Sequence, residues 1–394
     1  MADDGIRRAA HDPTEPAAAG NLKIHGSHDE NTVRQMRACM DVGSVHRGVL
    51  CADGHYGYAQ PVGGVIAYEN HISISGVGFD IGCGNLAARL DVTFDDIGDR
   101  VATVARDIAR RVSFGLGRTN RKPVDHPVFD SPLWRDAQVE HLKTTARSQL
   151  GTVGSGNHYV DVFRDEDERV WIGVHFGSRG LGHKTATTYL KAAGGRDGMD
   201  VPPAVVDQDS ELGRRYLAGM TLAGEYAYAG REWVVETVAK IIGAGVVEDV
   251  HNHHNFAWRE VHEGRAYWVV RKGATPAFPG QRGFVGGSMA DDAVILEGIE
   301  SEEARSSLYS TVHGAGRVMG RNAAKRTLSR AEMDAWLRRK GVFLVGGDLD
   351  EAPLAYRRLD EVLKHHEGTI RILHRLRPVI VVMAGSEIRD PYKD

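Results

Sequence analysis

The chain has 394 residues, of which 42% are hydrophobic and 26% charged, and its formal net charge is −4. This composition is ordinary for a folded globular protein. The negative net charge excludes a protein that coats nucleic acid through overall basicity, although local basic clusters could still form a phosphate-binding groove. Because no apolar run approaches the roughly 20 residues that span a bilayer, and because three cysteines do not make a disulfide framework, we expect a cytoplasmic protein without a membrane partner.

The first 25 residues are charged and lack the apolar core of a secretory signal, so we interpret residues 1–25 as a mobile tail. The remaining residues, 26–394, contain no linker and no internal repeat. Ser329 and Glu332 form a capping box, which predicts that a helix begins there and runs to Lys340. Hydrophobic periodicity predicts helices at 31–40, 99–112 and 209–242, and strands at 62–68, 86–90, 267–270 and 343–345.

These predicted strands and helices are interspersed without a regular βαβ period. A Rossmann fold is disfavoured because the glycine fingerprint that follows its first strand is absent. The polar motifs recur from residue 53 to residue 317, so they must converge in space if they form one site. The sequence therefore predicts a mixed α/β (α+β) fold built as a single large domain.

Two glycine-rich segments are suited to aim polar side chains at a metal ion. Asp80 and Cys83 stand three residues apart with glycines beside them, and Asn157 and His158 follow Gly154-Ser-Gly. Carboxylate, thiolate and imidazole are acceptable ligands for zinc- or manganese-like divalent ions. The structural alternative for the first segment is a turn aspartate beside a buried cysteine.

Further histidines lie in similar contexts. His175 ends an apolar run and precedes a glycine-rich turn, which is a usual place for a ligand. The cluster at 251–255 contains His251, His253 and His254, and spacing does not distinguish which of them would bind a metal. A solvated polar loop is the alternative interpretation of this cluster.

The segment from His313 to Arg317 is the most suggestive motif. A histidine, two glycines and an arginine that opens a helix can bind phosphate through backbone N–H groups and the guanidinium, and the histidine can attack a phosphoryl group. A helix-entry turn without such a role is the alternative. Together with the glycine-rich segment 286–289, these motifs indicate metal-dependent phosphoryl or nucleotidyl transfer.

Taken in order, the segments resemble the RtcB RNA ligase family from about residue 30 to residue 385. The matching stretches are DGHYGYAQPVGGVIA from Asp53, GVGFDIGCG from Gly76, GSGNHYVDV from Gly154, HFGSRGLG from His175, HHNFAWREVH from His253, RKGATPA from Arg271, HGAGRVMGR from His313, EAPLAYRRL from Glu351 and RPVIVVMAG from Arg377.

The resemblance implies a catalytic domain at 26–394 around a site for two Mn²⁺ ions, with Cys83 as the bridging thiolate and His313 as the histidine that becomes guanylylated. It also implies active-site positions for Asp53, Arg179 and Arg317. The implied metal ligands are Asp80, Cys83, His158, His175 and His254. The implied GTP-binding positions are Asn157, His158, Asp161, His254, Asn255, Gly286, Gly287, Ser288, Met289, His313, Gly314, Ala315, Gly316 and Tyr356.

The activity that the resemblance implies is GTP- and Mn-dependent RNA ligation. It would join a 3′-phosphate or 2′,3′-cyclic phosphate end to a 5′-hydroxyl end, in tRNA splicing or in repair of broken RNA, with an archease-type protein as a possible activator. The alternatives are a metal-dependent phosphodiesterase or cyclic-phosphate hydrolase, a ligase with altered nucleotide specificity, and a non-catalytic RNA-binding protein.

The departures from the family pattern all concern the nucleotide pocket. The segment from Met383 to Gly385, Met-Ala-Gly, stands where family members have a terminal Lys-Gly pair, and Asp161 stands where the family has glutamate. Gly286 replaces a proline, Ala290 a glycine and Ala293 a serine. The predicted metal ligands match the family at every position.

Overall fold

Strands and helices alternate irregularly along the chain in the structure, a computed structural model that describes residues 21–386. The strands are β1 Leu22–Ile24, β2 Val45–His55, β3 Val62–Tyr68, β4 His71–Ser73, β5 Gly84–Thr93, β6 Tyr159–Arg164, β7 Arg169–Phe176, β8 Val205–Asp207, β9 Val246–His253, β10 Asn255–His262, β11 Arg265–Lys272, β12 Ala274–Pro276, β13 Arg282–Val285, β14 Ala293–Gly298, β15 Ser310–Val312, β16 Phe343–Gly347 and β17 Ile370–Gly385. The helices are α1 Glu30–Met40, α2 Ile74–Val77, α3 Val101–Arg111, α4 Leu133–Asp136, α5 Lys143–Gln149, α6 Arg179–Ala192, α7 Glu211–Ile242, α8 Glu302–Ser306, α9 Arg321–Thr327, α10 Arg330–Lys340 and α11 Leu359–Lys364.

Two larger sheets organise these elements. One has the strand order β1-β2-β3-β11-β10, and the other has the order β13-β14-β17-β6-β7-β5-β9, with β16 paired to β17. Most neighbours are antiparallel, whereas β1 with β2 and β16 with β17 are parallel. The chain passes between the sheets at His254, since β9 ends at His253 and β10 begins at Asn255.

Helix α7 packs against both sheets. Its amino-terminal half buries Tyr216 and Met220 with residues of β3 and α1, and its carboxy-terminal half buries Val234 and Val238 with residues of β5, β6 and β7. Ser210 caps the first turn by accepting from the backbone N–H of Gly213, and Gly243 ends the helix in the left-handed conformation that glycine favours. Full burial of each such apolar side chain stabilises the fold by roughly 1.5–3 kcal/mol, so α7 ties the two sheets into one unit.

The predicted elements are largely present. The predicted strand at 62–68 coincides with β3, and the helices predicted at 31–40 and 209–242 appear as α1 and α7, each shifted by one or two residues at its start. The mixed α/β class is confirmed. Among residues 21–386, no helix combines the length and the apolar character needed to cross a membrane.

Two local predictions are wrong. Leu22–Ile24 pairs with β2, so the folded part of the chain begins before residue 26, while residues 1–20 of the predicted tail lie outside the described residues. Helix α10 begins after Ser329 as predicted, but the Ser329 side chain makes no capping hydrogen bond, and Leu328 and Met333 pack there instead. Apolar packing, rather than the capping box, fixes this helix start.

Candidate metal centre and active site

Strand register brings the predicted ligands to one place between the two sheets. In the second sheet Gly84 lies opposite both Phe176 and His253. Cys83 precedes Gly84 and His254 follows His253, so Cys83 and His254 lie at the same edge of the sheet. Tyr159 lies opposite His175, which places His158 at the same edge. The Cys83 carbonyl oxygen accepts from the backbone N–H groups of His254, at 2.8 Å, and Asn255, at 3.2 Å.

Five side chains form two ligand groups that have Cys83 in common. One group is Cys83, His175 and His254, the other is Asp80, Cys83 and His158, and within each group the ligand atoms lie within 4.8 Å of one another. Cys83 Sγ lies 3.4 Å from His175 Nε2 and 3.6 Å from His158 Nε2. His175 Nε2 lies 3.4 Å from His254 Nε2. Sulfur, imidazole nitrogen and carboxylate oxygen at these separations fit two divalent ions with one shared thiolate.

Backbone carbonyls orient two of the imidazoles. The Nδ1 atom of His158 lies 2.8 Å from the Val153 carbonyl oxygen, and that of His175 lies 3.0 Å from the Asn157 carbonyl oxygen. Each Nδ1 therefore carries the proton and donates it, which leaves the Nε2 lone pair facing the centre. Nδ1 of His254 is buried without a hydrogen-bond partner in the structure.

Burial sets the protonation of the ligands. It lowers the pKa of His175 and of His254 well below the usual value, with further lowering by neighbouring histidines, so both rings are neutral. Burial raises the pKa of Asp80, but the hydrogen bond with His158 and the charges of His158 and Arg179 outweigh it and hold the pKa well below its usual range. Burial and the adjacent Asp80 raise the pKa of the Cys83 thiol, so its thiolate forms when a cation takes the place of the proton.

A buried cation behind the centre, Arg231 on α7, was not predicted from the sequence. Its guanidinium donates to the carbonyl oxygens of Gly82, at 2.9 Å, and Phe176, at 2.6 Å. It also contacts His251 Nε2 at 2.8 Å and His253 Nδ1 at 3.0 Å. Arg231 thus holds Gly82 and Phe176 in place, and these residues are adjacent to the proposed ligands Cys83 and His175. It also contacts His251 and His253, the two histidines of the cluster that do not face the candidate metal centre. The solvated-loop interpretation of this cluster is wrong, because all three histidines lie in or between strands and are largely buried.

His313 lies beside the candidate metal centre and is held by a buried carboxylate. Its ring centroid is 4.9 Å from that of His254. Asp53 is fully buried, and its Oδ2 lies 2.6 Å from His313 Nδ1 and accepts from the backbone N–H groups of His313, at 3.0 Å, and Gly314, at 3.2 Å. Burial raises the pKa of Asp53, but the charge and hydrogen bonds of His313 outweigh it and lower the pKa. The Nδ1–H donor leaves Nε2 of His313 with a free lone pair.

This pairing corrects two predictions about the His313 motif. The backbone N–H groups of His313 and Gly314, predicted to bind phosphate, donate to Asp53 instead. The motif also does not open a helix, because a loop follows β15 and α9 begins only at Arg321. Arg317 instead donates to the Tyr356 hydroxyl at 2.9 Å and to the Asp350 carbonyl oxygen at 2.6 Å.

A cavity of about 400 Å³ opens over the two ligand groups and His313. Asp53 and Arg179 are absent from its lining: Asp53 lies behind His313, and the Arg179 guanidinium lies behind His158 against Gly154, where any side chain would collide with it. The predicted positions that line it are Asp80, Asn157, His158, Asp161, Cys83, His175, His254, Asn255, Gly286, Gly287, Ser288, Met289, His313, Gly314, Ala315, Gly316, Arg317 and Tyr356.

Several lining residues were missed. They include His55, Lys272, Arg321 and Glu351. Burial lowers the pKa of Lys272 to about 8, and the Arg321 guanidinium forms ion pairs with Glu351 and Asp350. All four stand within stretches that carry the family resemblance, so position in a motif was the one signal that pointed to them.

The fold and the site define a mixed α/β protein with a candidate dinuclear metal centre beside a histidine that is paired with a buried carboxylate. The family described as "tRNA-splicing ligase RtcB" matches residues 35–140 and 133–384. Similar proteins include the tRNA-splicing ligase RtcB of Nanoarchaeum equitans, which is 32% identical over 94% of this chain and 95% of its own length. The RNA-splicing ligase RtcB of Escherichia coli is 30% identical over 84% and 88%, and that of Thermococcus kodakarensis, named a tRNA-splicing ligase, is 31% identical over 84% and 86%.

The chain belongs to the RtcB family. Membership confirms the predicted resemblance and the prediction that the chain is an enzyme of the RNA ligase class.

Proposed function

We propose that the chain is a manganese-dependent RNA ligase that attaches a purine nucleoside monophosphate to His313 and uses it to join RNA ends. The family resemblance implies GTP as the nucleotide, with RNA 3′-phosphate or 2′,3′-cyclic phosphate and 5′-hydroxyl ends as substrates, from tRNA splicing or broken RNA. The observation that carries the proposal is the placement of His313, fixed by Asp53 through Nδ1, beside two ligand groups that share Cys83. Three free, buried cysteines fit the proposed cytoplasmic location.

The first step uses the free lone pair of His313. Nε2 attacks the α-phosphorus of the nucleotide, an N–P bond forms, and the bond to the bridging oxygen breaks so that pyrophosphate leaves. Positive charge develops on the imidazole as the bond forms, and the adjacent Asp53 carboxylate stabilises it. Bound divalent ions supply Lewis-acid stabilisation of the phosphate charge and orient the attacking group.

The nucleotide then passes from His313 to an oxygen of the RNA 3′-phosphate, which returns Nε2 to its starting state. The 5′-hydroxyl oxygen attacks the activated phosphorus, the nucleoside monophosphate leaves, and a phosphodiester results. For the manganese ions we propose Asp80, Cys83, His158, His175 and His254 as ligands. Asn157, Asn255, residues 286–289 and Gly314 to Gly316 would contact the nucleotide from the cavity wall.

Covalent labelling tests this proposal. Purified protein, loaded with Mn²⁺ and with its metal content measured, is incubated with α-labelled nucleotide and run on a denaturing gel. We expect label on the wild type, none on His313→Ala, and full labelling of a matched control, His141→Ala, because His141 is exposed and outside the cavity. In parallel, RNA with 3′-phosphate and 5′-hydroxyl ends is expected to be joined.

Two results would contradict the proposal. Metal-loaded protein that takes no label from any nucleotide, yet opens 2′,3′-cyclic phosphates, is a hydrolase. Label that persists on His313→Ala would place the covalent nucleotide on another residue.

A further inference from the structure

Asp53 lies in an irregular part of β2. Strands β2 and β3 pair as far as Leu50 and again at His55, and between these points four residues of β2 stand against one of β3. Residues 51–54 therefore form an enlarged β-bulge, and all four are buried. Because buried backbone N–H and C=O groups are rarely left unpaired, this bulge needs partners from outside the strand ladder.

Side chains from the carboxy-terminal part of the chain hold the bulge on both sides of Asp53. The backbone N–H of Ala52 donates to Nε2 of His366 at 3.2 Å. The carbonyl oxygen of Gly54 accepts from the Arg357 guanidinium, also at 3.2 Å. These contacts join residues that are 314 and 303 positions apart in the chain. They fix the backbone before and after Asp53, and so the direction in which its side chain leaves the strand.

His366 is a neutral hydrogen-bond acceptor. It lies in the turn after α11, is fully buried, and stacks on His25 with the ring centroids 4.3 Å apart. His25 is held in turn by a contact of 2.8 Å between its Nε2 and Ser307 Oγ. Burial and the neighbouring His25 lower the pKa of His366 to about 3. The ring therefore stays uncharged, and Nε2 keeps the lone pair that accepts from Ala52.

The pairing of Asp53 with His313 depends on where the bulge lies. Oδ2 of Asp53 is 2.6 Å from Nδ1 of His313. The loop after His313 packs closely on the same backbone, since a Cβ atom at Gly316 would lie 2.3 Å from the Asp53 carbonyl oxygen. A shift of the bulge would therefore lengthen the hydrogen bond that orients the His313 ring. His366 does not line the cavity, so its route to His313 runs through Asp53.

We propose that His366 is a positioning residue for the attachment of the nucleotide to His313. Its Nε2 accepts from the Ala52 N–H and thereby holds the Asp53 carboxylate at the distance at which it orients His313. The inference rests on the proposed nucleotidyl transfer. It adds to that reaction a residue that touches neither the nucleotide nor the metal ligands.

Two substitutions separate the acceptor of His366 from its ring. His366→Phe keeps a ring against His25 but has no acceptor, whereas His366→Gln keeps an acceptor that reaches Ala52 but has no ring. Because small misplacements of a catalytic group slow reactions strongly, the maximum rate of single-turnover labelling should fall by about 10- to 100-fold in His366→Phe. The nucleotide concentration that gives half of that rate should not change. His366→Gln should label at nearly the wild-type rate.

A double substitution tests whether His366 acts through Asp53. In Asp53→Asn protein, His366→Phe should add little further loss, because substitutions within one hydrogen-bonded network are not additive. His71→Phe is the matched control and should label like the wild type, because His71 Nδ1 likewise accepts a backbone N–H, that of Ser44, just before the other end of β2. If His366→Phe does not fold in denaturant unfolding tests, His366→Asn takes its place, since its amide is too short to reach Ala52.

Nuclear magnetic resonance of the metal-free protein follows the same contact without turnover. The Nδ1 proton of His313 is identified by its loss in His313→Ala. Its signal should move upfield in His366→Phe, as the hydrogen bond to Asp53 lengthens, and should stay in place in His366→Gln.

Four results would overturn the inference. They are a wild-type labelling rate in His366→Phe, an unmoved His313 signal in that variant, an equal loss of rate in His366→Phe and His366→Gln, and a full loss from His366→Phe in the Asp53→Asn background. The third result would assign the effect to ring packing rather than to the acceptor. Absence of label on the wild-type protein would instead overturn the proposed nucleotidyl transfer, and this inference with it.

Discussion

Replacing Asp53 with asparagine is expected to slow nucleotide attachment to His313 while preserving the geometry of the pair. The Asp53 carboxylate accepts three hydrogen bonds through Oδ2, from His313 Nδ1 and from two backbone N–H groups, while Oδ1 has no partner. The three donors require an acceptor, so the amide oxygen of asparagine takes the Oδ2 position. The ring tautomer is thereby kept, and the variant removes only the negative charge.

The size of the effect follows from that charge. A hydrogen bond to a charged group contributes about 1.5–3 kcal/mol, and this interaction strengthens as His313 becomes cationic during attack. At about 1.4 kcal/mol per factor of ten, the single-turnover rate of labelling should fall by about 10- to 150-fold. Asp53→Leu would instead leave three donors unpaired, at about 1–3 kcal/mol each, and should unfold at much lower denaturant.

Single-turnover labelling at saturating nucleotide, with denaturant unfolding of the same samples, measures both effects. Asp165→Asn is the matched control, because Asp165 is also a buried carboxylate but lies outside the cavity. Its carboxylate accepts three hydrogen bonds, from Trp171 Nε1 and from the backbone N–H groups of Asp167 and Arg169. It should lose stability without a change in labelling rate. A labelling rate of Asp53→Asn equal to that of the wild type would refute the argument that the Asp53 charge assists His313.

Two further perturbations have defined outcomes. Cys83→Ala should lower the measured manganese content at both positions because Cys83 belongs to both ligand groups, whereas His158→Ala should affect one; equal losses in the two variants would argue against a shared thiolate. Glu260→Gln, which breaks the buried ion pair with Arg271, should cost about 3–5 kcal/mol in the free energy of unfolding. Burial raises the pKa of Glu260, but the charge and hydrogen bonds of Arg271 outweigh it, so the pKa in the folded protein is lowered. The ion pair therefore stabilises the fold fully above the pKa of glutamate in the unfolded chain, about 4.3. This stabilisation is lost as the pH falls through the pKa of Glu260 in the folded protein. Urea unfolding between pH 3 and pH 6 should therefore show the difference between wild type and variant shrinking in acid.

Elements with strong local signals were predictable from the sequence. The run at 62–68 is apolar, bounded by polar turns, and appears as β3, and the long amphipathic pattern before Gly243 appears as α7. The candidate ligand positions came from the family resemblance, and the structure brings their side chains together.

What the sequence did not reveal depends on contacts between distant segments. Nothing in the cluster at 251–255 indicates that His251 and His253 face Arg231 while His254 faces the candidate metal centre. The glycines after His313 suggested a phosphate-binding turn because local sequence cannot show that Asp53 already accepts those backbone N–H groups.

The pairing of Asp53 with His313 has a consequence for how the enzyme is made. The two residues are 260 positions apart in the chain, and closing so long a loop carries a larger entropic cost than local pairing. During synthesis Asp53 emerges long before its partner, and the pair of Asp53 and His313 forms only after the segment that follows β15 has left the ribosome. A chain truncated before residue 313 contains every proposed metal ligand in its sequence but lacks His313, so the proposed chemistry depends on the segment made after all of those ligands.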